Sequence, residues 1–369
     1  MSDWIDIAAG IEALEPARFD RELIARLAGA RGAARPINFY TPTFKAYASS
    51  EISSCGKSAW PAVSITGGAC KLQCDHCKAK VLEPMIPATT PEMLWRVVNE
   101  QFAQGARGML LTGGSNHRDE VEYGPFLPVV RRVKDGFPDF RIAIHTALVD
   151  DGMARAMQDA GIDAAMLDVI GAQDTVSQVY HLRRPVEDFE RSLEALVATS
   201  MKVVPHIVIG LHYGRMLGEW HALEMIARHR PAALVLVVAM PFYAPAARPF
   251  ATPASAEVGR FFLDARAALP ELPILLGCAR PAGRAKLEID SYAVMAGLEG
   301  IAHPADGSVE LALALEREVK VTPACCSIAL GEEVLALEDP HAPRIDPRVV
   351  VEAGKRAASR ISRIPVVAA

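Results

Sequence analysis

Three cysteines stand close together in the stretch from Gly67 to Lys78, which reads GGACKLQCDHCK. Cys70, Cys74 and Cys77 have the spacing C-x3-C-x2-C, and no fourth cysteine follows within the stretch. Thiolates are soft ligands that suit iron-sulfur clusters and zinc, and a [4Fe-4S] cluster takes four ligands. Three cysteines can therefore bind three irons of such a cluster and leave the fourth iron without a protein ligand. An open coordination position of this kind is typical of catalytic rather than structural metal sites.

A zinc loop is the alternative interpretation of the same cysteines. His76 or a distant residue would then be the fourth ligand. Zinc ribbons, however, pair two C-x2-C knuckles, and this sequence has no second knuckle. The spacing therefore favours an iron-sulfur cluster over zinc.

Short apolar runs alternate with stretches of helical period from Pro61 onward, and these elements must position the cysteine loop. Strands that alternate with helices indicate βαβ units and a parallel sheet. Eight such units across about 240 residues match an α/β fold of the (β/α)8 TIM-type barrel, with an open doubly wound sheet as the alternative. The cysteine loop follows the first strand, on the face where barrels carry their sites. The eight predicted strands are residues 62–66, 108–114, 141–146, 164–171, 202–210, 233–242, 273–278 and 300–304.

Helix signals fill the segments between these strands. Thr90 stands before Pro91, a favourable start with a capping residue and proline in the first helical position. The predicted helices of the barrel are residues 91–105, 150–160, 186–200, 216–229 and 255–268.

The two ends of the chain differ from this repeating pattern. Residues 11–30 have helical period, and INFYTPTFKAYASSEISSC after them is typical of an irregular or extended segment. EDPHAPRIDP near the other end is typical of a linker, and an amphipathic helix is expected near 347–362. We therefore expect three parts, namely an N-terminal helix and extended leader (1–60), a barrel (61–328) and a C-terminal linker with a helix (329–369).

The composition is that of a well-cored globular protein. Apolar residues make up 51% and charged residues 22%, far from the profile of a disordered chain. The net charge of -5 and the scattered basic residues give no reason to expect a nucleic-acid partner. The N-terminal residues lack an apolar targeting core, and no apolar run could span a bilayer, so we expect a cytoplasmic protein. Seven cysteines are too few for a disulfide scaffold and in a reducing compartment indicate metal binding or chemistry.

The C-x3-C-x2-C motif after the first strand of a barrel resembles the signature of the radical S-adenosylmethionine (SAM) superfamily. In that superfamily the amino and carboxylate groups of SAM chelate the open iron. The resemblance implies a [4Fe-4S] cluster on Cys70, Cys74 and Cys77, reductive cleavage of SAM to a 5'-deoxyadenosyl radical, and hydrogen abstraction from an unactivated carbon. His76 stands where the superfamily usually has an aromatic residue, which implies a contact with adenine.

Further residues fall where the superfamily places its contacts with SAM. Gly113 and Gly114 end the second strand and resemble a GGE-like motif whose backbone binds the SAM amino group, although Ser115 replaces the acidic residue. A structural turn is the alternative for these glycines. His145 in the third strand and Asp168 in the fourth are candidate SAM contacts, with polar residues hydrogen-bonded inside the barrel as the alternative.

Two arginines follow the fourth strand. The resemblance makes Arg183, or its neighbour Arg184, a candidate for holding the SAM carboxylate through a two-pronged guanidinium contact. An ordinary solvated arginine on a loop is the alternative.

Four cysteines remain outside the motif, namely Cys55, Cys278, Cys325 and Cys326. Cys278 closes the seventh strand and the Cys325-Cys326 pair follows the eighth βα unit, so these thiols could meet near the mouth of the barrel and hold a second iron-sulfur cluster. Buried cysteines that act as small hydrophobic residues are the alternative. Adjacent residues on a strand point to opposite faces, so only one of Cys325 and Cys326 would be expected to act as a ligand. Cys55 reaches this end only if the leader crosses the top of the barrel.

The wider pattern resembles the two-protein lipoyl synthases, in which paired radical SAM proteins each insert one sulfur. The similarity lies in FYTPTFKAY, HTALVD, DVIG, VPHIVIGLHYG, LGCARPAG and the late CC, covers most of residues 37–328 and is greatest to the second member of the pair. It implies sulfur insertion at C6 or C8 of an octanoyl chain on a lipoyl carrier protein or octanoylated domain. Further implied partners are a paired radical SAM protein and an electron donor such as ferredoxin or flavodoxin.

Two other functions fit the same motif. One is a radical SAM enzyme that acts on a small molecule, similar to biotin synthase or to the maturases. The other is a non-enzymatic iron-sulfur subunit for electron transfer or for a partner protein. Arg280, Arg284 and Lys286 after the seventh strand could steer an acidic carrier domain, although a solvated face explains them equally.

Overall fold

The fold is taken from a computed structural model. It describes residues 17–30, 32, 34–42, 49–53, 60–240, 247–328 and 344–353.

All eight predicted strands are present and lie in one sheet of eleven strands. The strands of the whole chain are β1 (Ile37–Tyr40), β2 (Ile52–Ser53), β3 (Ala62–Ser64), β4 (Ile86–Pro87), β5 (Gly108–Thr112), β6 (Arg141–His145), β7 (Ala164–Asp168), β8 (Lys202–Ile209), β9 (Leu234–Val238), β10 (Ile274–Leu276), β11 (Gly300–Ala302), β12 (Val319–Thr322) and β13 (Arg344–Ile345). The large sheet contains β1 and β3 to β12, while β2 and β13 form a separate antiparallel pair.

The strand order confirms the TIM-type fold class. The sheet runs β12-β1-β11-β10-β9-β8-β7-β6-β5-β3-β4, and every pairing in it is parallel. The eight predicted strands therefore follow one another in chain order around a curled half-barrel. A doubly wound sheet would instead reverse its order at a switch point.

Two strands of the large sheet extend it beyond the predicted eight at one edge. β1 comes from the leader and pairs with β11 and with β12, which follows the eighth βα unit. In both pairings the two strands are more than 250 residues apart along the chain. Local patterning therefore gives little sign of β1 or β12. The division of the chain at residues 60 and 328 stays a prediction.

The predicted helices cover the outside of the sheet. The helices are α1 (Arg21–Gly29), α2 (Pro91–Ala103), α3 (Leu127–Gly136), α4 (Asp151–Ala160), α5 (Gln173–Gln178), α6 (Glu187–Val197), α7 (Glu219–Ala227), α8 (Ser255–Ala268), α9 (Arg284–Met295) and α10 (Ser308–Ala314), and 347–353 are also helical. Thr90 caps α2 as predicted, because its hydroxyl accepts a hydrogen bond from the Met93 amide. In the leader a helix spans Arg21–Gly29, and the Asp20 side chain caps its start by accepting a hydrogen bond from the Leu23 amide. The earlier part of the predicted segment, residues 11–16, lies outside the described residues.

Alternation along the strands divides the apolar residues between two faces of the sheet. In β7, Ala165 and Leu167 belong to the large core beneath the helices, whereas Ala164 and Met166 belong to a second cluster inside the barrel. Successive side chains on a strand point to opposite faces, so a residue two positions along also points inward. The carboxyl ends of the strands therefore present their side chains to the interior. Within the described residues, no helix is both long and apolar enough to cross a membrane.

Candidate active site

A cavity of about 360 Å³ opens inside the barrel at the carboxyl ends of the strands. Its volume lies within the range of small-molecule and cofactor sites, about 300–1,000 Å³. Its lining brings together most of the residues predicted from the sequence. They are Cys70, Cys74, His76, Cys77, Gly113, Gly114, His145, Asp168, Cys278, Cys325 and Cys326.

Two predicted residues are not part of this lining. Arg183 is exposed on the loop after β7, and its neighbour Arg184 is engaged in ion pairs with Glu120 and Asp188, each at 3.0 Å. Cys55 lies outside the described residues. A role for Arg183 at the SAM carboxylate therefore gains no support from its position.

The three motif cysteines lie on a loop of successive turns after β3. Cys74 O accepts hydrogen bonds from the amides of Cys77 (3.3 Å) and Lys78 (2.9 Å), which brings the second and third cysteines of the motif close together. Burial raises the pKa of Cys74 and raises that of Cys77 to about 11, with neighbouring thiols adding to the effect. Thiolates at this depth therefore need a cation beside them, since a metal ion deprotonates the thiols that coordinate it. The donor set fits an iron-sulfur cluster.

Gly114 brings the end of β5 against the cysteine loop. A Cβ at this position would lie 2.0 Å from Ala69 O and 2.6 Å from Cys70 Cα, closer than any side chain can approach a backbone. Its amide donates to Thr66 Oγ1 (2.7 Å), and the next carbonyl, Ser115 O, accepts from the Lys71 amide (2.8 Å). Glycine at this position therefore permits close packing of β5 against the cysteine loop, while the predicted contact of its backbone with SAM stays a prediction.

Asp75 ties the cysteine loop to two other parts of the barrel. Its carboxylate accepts hydrogen bonds from Lys78 Nζ (2.6 Å) and Tyr213 Oη (2.8 Å), and it lies 3.0 Å from His181 Nε2. Its amide donates to Val179 O (2.9 Å). Burial alone would raise the pKa of Asp75, but the hydrogen bonds outweigh it and lower this pKa to about 2. The carboxylate is therefore ionised and holds the loop against the segments after β7 and β8.

Asp75→Asn is expected to loosen this attachment. Losing charge-assisted hydrogen bonds should lower the free energy of unfolding by about 1.5–3 kcal/mol. Asp139→Asn, at an exposed carboxylate before β6, is the matched control and should change stability by less than about 0.5 kcal/mol. Denaturant unfolding of both variants measures the difference. Equal stabilities would show that the network does not hold the loop.

His76 faces the cavity beside an aromatic ring. It packs at 5.2 Å, centroid to centroid, from Tyr180, and burial lowers its pKa, so the ring is neutral at pH 7. Its Nδ1 atom is buried and has no hydrogen-bond partner. A buried polar atom without a partner suggests that a ligand supplies one. The position suits the predicted contact with adenine, which stays a prediction.

His145 and Asp168 lie inside the barrel with a third polar residue, His206. The three belong to β6, β7 and β8, and His145 Nε2 lies 3.8 Å from Asp168 Oδ1. Burial and the neighbouring His145 lower the pKa of His206 to about 4, so its ring is neutral. His206 is not singled out by the sequence pattern, although its place two residues after the inward-facing Val204 could have indicated it.

Asp119 is a second cavity residue that the sequence pattern does not reveal. It lies four residues beyond Ser115, in left-handed backbone conformation, and only 5% of it is exposed. Burial raises the pKa of its carboxyl to about 6, against a hydrogen bond with Ser115 that lowers it. The chain thus places a carboxyl group at this end of the cavity even though Ser115 replaces the acidic residue of the GGE-like motif.

A second group of thiols lines the same cavity. Cys278 follows β10, and Cys325 and Cys326 follow β12. The last two lie in a turn rather than on a strand, so both reach the cavity, and the expectation that strand geometry would separate them is wrong. They are hydrogen-bonded to each other, which lowers the pKa of Cys325, while that bond, burial and the nearby Cys278 raise the pKa of Cys326.

Arg280 fixes the turn that carries Cys278. Its buried guanidinium bonds both oxygens of Asp290 (2.6 and 3.0 Å) and the carbonyls of Gly277 and His303. The expectation of a solvent-facing docking arginine is therefore wrong for Arg280, because its charge is neutralised inside the fold by a residue of α9.

The sequence of residues 64–226 matches the family model of the radical SAM superfamily, and this segment contains the cysteine loop and the ends of β5 to β8. The chain carries a radical SAM domain. As a radical SAM enzyme it uses a [4Fe-4S] cluster and SAM, and enzymes of this kind need an electron donor. No curated protein sequence matches the chain.

Solved structures show the same fold at low sequence identity. HydG, a maturase of the [FeFe]-hydrogenase, matches with a TM-score of 0.52 and 13% identity over 82% of this chain and 68% of that chain. HydG from Carboxydothermus hydrogenoformans matches with a TM-score of 0.51 and 11% identity over 93% and 82%. Methylornithine synthase (PylB) covers 94% of this chain and 91% of its own, with 13% identity and a TM-score of 0.49. The two likenesses to HydG concern the fold alone.

Proposed function

We propose that this radical SAM enzyme inserts sulfur into a hydrocarbon chain, with a protein-bound octanoyl group as its substrate, as in lipoyl synthesis. The observation that carries the proposal is that Cys278, Cys325 and Cys326 line the same cavity as the motif cysteines. A sulfur donor must lie beside the carbon that loses its hydrogen. Thiols that line the same cavity as the motif cysteines could hold such a donor.

A second iron-sulfur cluster on these three thiols is the form of sulfur source that we propose. Thiolates are the ligands that such clusters use. Cys325 and Cys326 lie together in the turn after β12. The third thiol, Cys278, lies in a turn that the Arg280–Asp290 ion pair stabilises. A purely hydrophobic role accounts less well for three thiols that face a cavity from two separate segments.

The wall of the cavity between the two cysteine groups suits a hydrocarbon substrate. Four inward-facing residues give this wall an apolar surface beside the polar side chains of β6, β7 and β8, namely Leu110, Met166, Val208 and Val237. Apolar surfaces bind alkyl groups by removing both from water. An octanoyl chain has no polar group at the carbons to be modified, so such a wall could orient it by shape alone.

The protein's own residues have separable tasks in this proposal. Cys70, Cys74 and Cys77 hold the first cluster, and the Gly113-Gly114 backbone, His76 and the carboxyl groups facing the cavity surround SAM. When bound, the cluster and SAM supply the 5'-deoxyadenosyl radical that abstracts hydrogen from an unactivated carbon. The apolar wall positions the chain and keeps competing hydrogen donors away.

A carrier protein and a paired radical SAM protein are the proposed partners. Arg284 is the exposed residue among the three basic residues after β10, and its Nε atom lies 3.4 Å from Glu288 Oε1. Arg280 is buried. Lys286 is bonded to Asp290 and to His303 O. Electrostatic steering by this cluster would therefore depend mainly on Arg284, and we expect Arg284→Ala to slow association with the carrier without changing SAM cleavage.

Iron counting tests the two cysteine groups separately. One variant replaces Cys70, Cys74 and Cys77 by alanine, and the matched variant replaces Cys278, Cys325 and Cys326 by alanine. We expect the reconstituted wild type to hold clearly more iron and sulfide than one [4Fe-4S] cluster contains. Each variant should retain the iron and sulfide of the cluster whose cysteines it keeps. Only the first variant should lose formation of 5'-deoxyadenosine. A first variant without any iron would exclude a second cluster.

A substrate assay tests the chemistry itself. The reconstituted enzyme is supplied with SAM, a reductant and an octanoyl-lysyl peptide or octanoylated carrier domain, with and without the paired protein. Mass spectrometry then measures the mass of the product. We expect gain of sulfur by the wild type and SAM cleavage without sulfur gain by the variant of Cys278, Cys325 and Cys326. SAM cleavage without sulfur gain under every pairing would remove the lipoyl proposal and favour a small-molecule substrate.

A further inference from the structure

Three polar side chains on neighbouring strands point into the cavity near the carboxyl ends of those strands. Asp168 in β7 is the direct sheet partner of His206 in β8, and His145 in β6 is the partner of Met166, two residues before Asp168. Residues two apart on a strand share a face, so the three side chains point the same way. All three line the cavity.

Their ligand atoms are close enough to share one ion. One nitrogen or oxygen atom from each of the three lies within 4.8 Å of the other two. His145 Nε2 and Asp168 Oδ1 are 3.8 Å apart, which is longer than a hydrogen bond. Bonds of about 2.0–2.2 Å at tetrahedral angles place ligand atoms about 3.3–3.6 Å apart. Small rotations of the side chains would therefore bring the three ligand atoms onto one ion.

The His206 ring is held in the orientation that a ligand needs. Its Nδ1 lies 3.0 Å from Val204 O, and because a carbonyl only accepts, Nδ1 carries the proton. The lone pair of the neutral ring is then on Nε2. A backbone carbonyl that fixes the tautomer through the other nitrogen is the usual second contact of metal-binding histidines.

We propose that His145, Asp168 and His206 bind a divalent transition-metal ion, separate from the iron-sulfur sites. Two imidazoles and one carboxylate suit Fe²⁺, Co²⁺ or Zn²⁺, whereas Mg²⁺ and Ca²⁺ prefer oxygen ligands throughout. With three protein ligands the ion keeps open positions towards the cavity. An oxygen or nitrogen atom of the substrate could occupy one of them and be held beside the radical site.

This proposal goes beyond sulfur insertion and does not rest on it. It also gives His145 and Asp168 a role other than the predicted contacts with SAM. The two roles make opposite predictions, because residues that coordinate an ion retain it when SAM binds, and residues that contact only SAM have no ion to retain.

Cobalt is a suitable probe because it is absent from iron-sulfur clusters. Reconstituted, oxidised holoenzyme is dialysed against increasing Co²⁺, and bound cobalt is counted and observed by electron paramagnetic resonance, where oxidised [4Fe-4S] clusters are silent. We expect one tightly held Co²⁺ per chain with nitrogen hyperfine coupling from imidazole. Zn²⁺ should displace it. Adding SAM should leave it bound.

His206→Ala should weaken Co²⁺ binding by at least about 100-fold, since loss of a ligand exceeds the 10–100-fold effect of an outer contact. His145→Gln, at a half-exposed position where the shape is preserved, should do the same without the cavity that truncation of a buried ring leaves. His212→Ala is the matched control, because His212 is buried but bonds Thr175 outside the cavity. Iron content verifies that each variant is folded.

Three results would overturn the proposal. They are the absence of a stoichiometric Co²⁺ ion in the wild type, retention of that ion by both His206→Ala and His145→Gln, and release of the ion when SAM is added. The last result would assign these side chains to SAM.

Discussion

Replacing Gly114 by alanine is expected to remove iron from the cysteine loop and to abolish SAM cleavage. The added methyl group would stand 2.0 Å from Ala69 O and 2.6 Å from Cys70 Cα and Cβ. Two of these three atoms are backbone atoms, so rotation of a side chain cannot relieve the overlap. Either the end of β5 or the cysteine loop must move.

Movement of either segment breaks contacts that hold the first cysteine. The Lys71 amide is bonded to Ser115 O (2.8 Å), and Cys70 Sγ lies 3.7 Å from the same oxygen. Overpacking in a close-packed interior costs about 1–3 kcal/mol when side chains can adjust, and we expect a value at or above the upper end here. The larger effect is on function, because three cysteines must keep one geometry to hold a cluster.

Gly68→Ala is the matched control for this prediction. Gly68 lies in the same loop, and a Cβ there would meet no atom within 4 Å. This variant should retain the iron content and the rate of 5'-deoxyadenosine formation of the wild type. Anaerobic reconstitution, iron and sulfide analysis and a SAM cleavage assay compare the three proteins. Normal iron content in Gly114→Ala would show that the loop adapts and that close approach is not why glycine stands there.

The strands and their inward-facing residues could be predicted because they depend on local patterns. Each of the eight strands is an apolar run between helical segments, and strand alternation then places His145 and Asp168 inside the barrel. The cysteine motif likewise carries its information in its spacing. These features need no knowledge of distant contacts.

The features that the pattern does not reveal depend on distant partners or on turns. Strand β1 exists because β11 and β12 complete its hydrogen bonds from the other end of the chain. Arg280 looks like a loop arginine until α9 brings Asp290 to it. Cys325 and Cys326 reach one cavity because a turn replaces the alternation of a strand. In each case the deciding contact is invisible in the local sequence.

Asp119 has opposite effects on stability and on function, because its buried charge destabilises the fold while its position suits a contact with SAM. Its carboxyl has a pKa of about 6 in the fold against an ordinary value of 3.8, because burial disfavours the charged form. Between these values the folded state binds more protons than the unfolded state, so the free energy of unfolding falls as pH rises. Above pH 6 the full cost is reached, up to about 3 kcal/mol for a shift of this size.

Asp119→Asn removes this cost and should therefore stabilise the protein at neutral pH. The amide keeps an oxygen that can accept from Ser115 but carries no charge. We expect a higher midpoint of thermal unfolding than in the wild type, with a gain in unfolding free energy that roughly doubles between pH 5 and pH 7. Glu122→Gln, at an exposed position on the same loop, should show no such pH-dependent gain.

The same substitution should weaken SAM binding. An ionised carboxylate beside the cysteine loop suits the amino group of SAM, and a charge-assisted hydrogen bond contributes about 1.5–3 kcal/mol, or at least about tenfold in affinity. A protein that becomes more stable while it binds its cofactor less well has lost a group retained for function. Equilibrium binding of SAM to Asp119→Asn, Glu122→Gln and wild-type holoenzyme at pH 7 measures the effect. Unchanged affinity with raised stability would mean that Asp119 is dispensable for SAM, and the carboxylate needed in place of Ser115 would have to come from elsewhere.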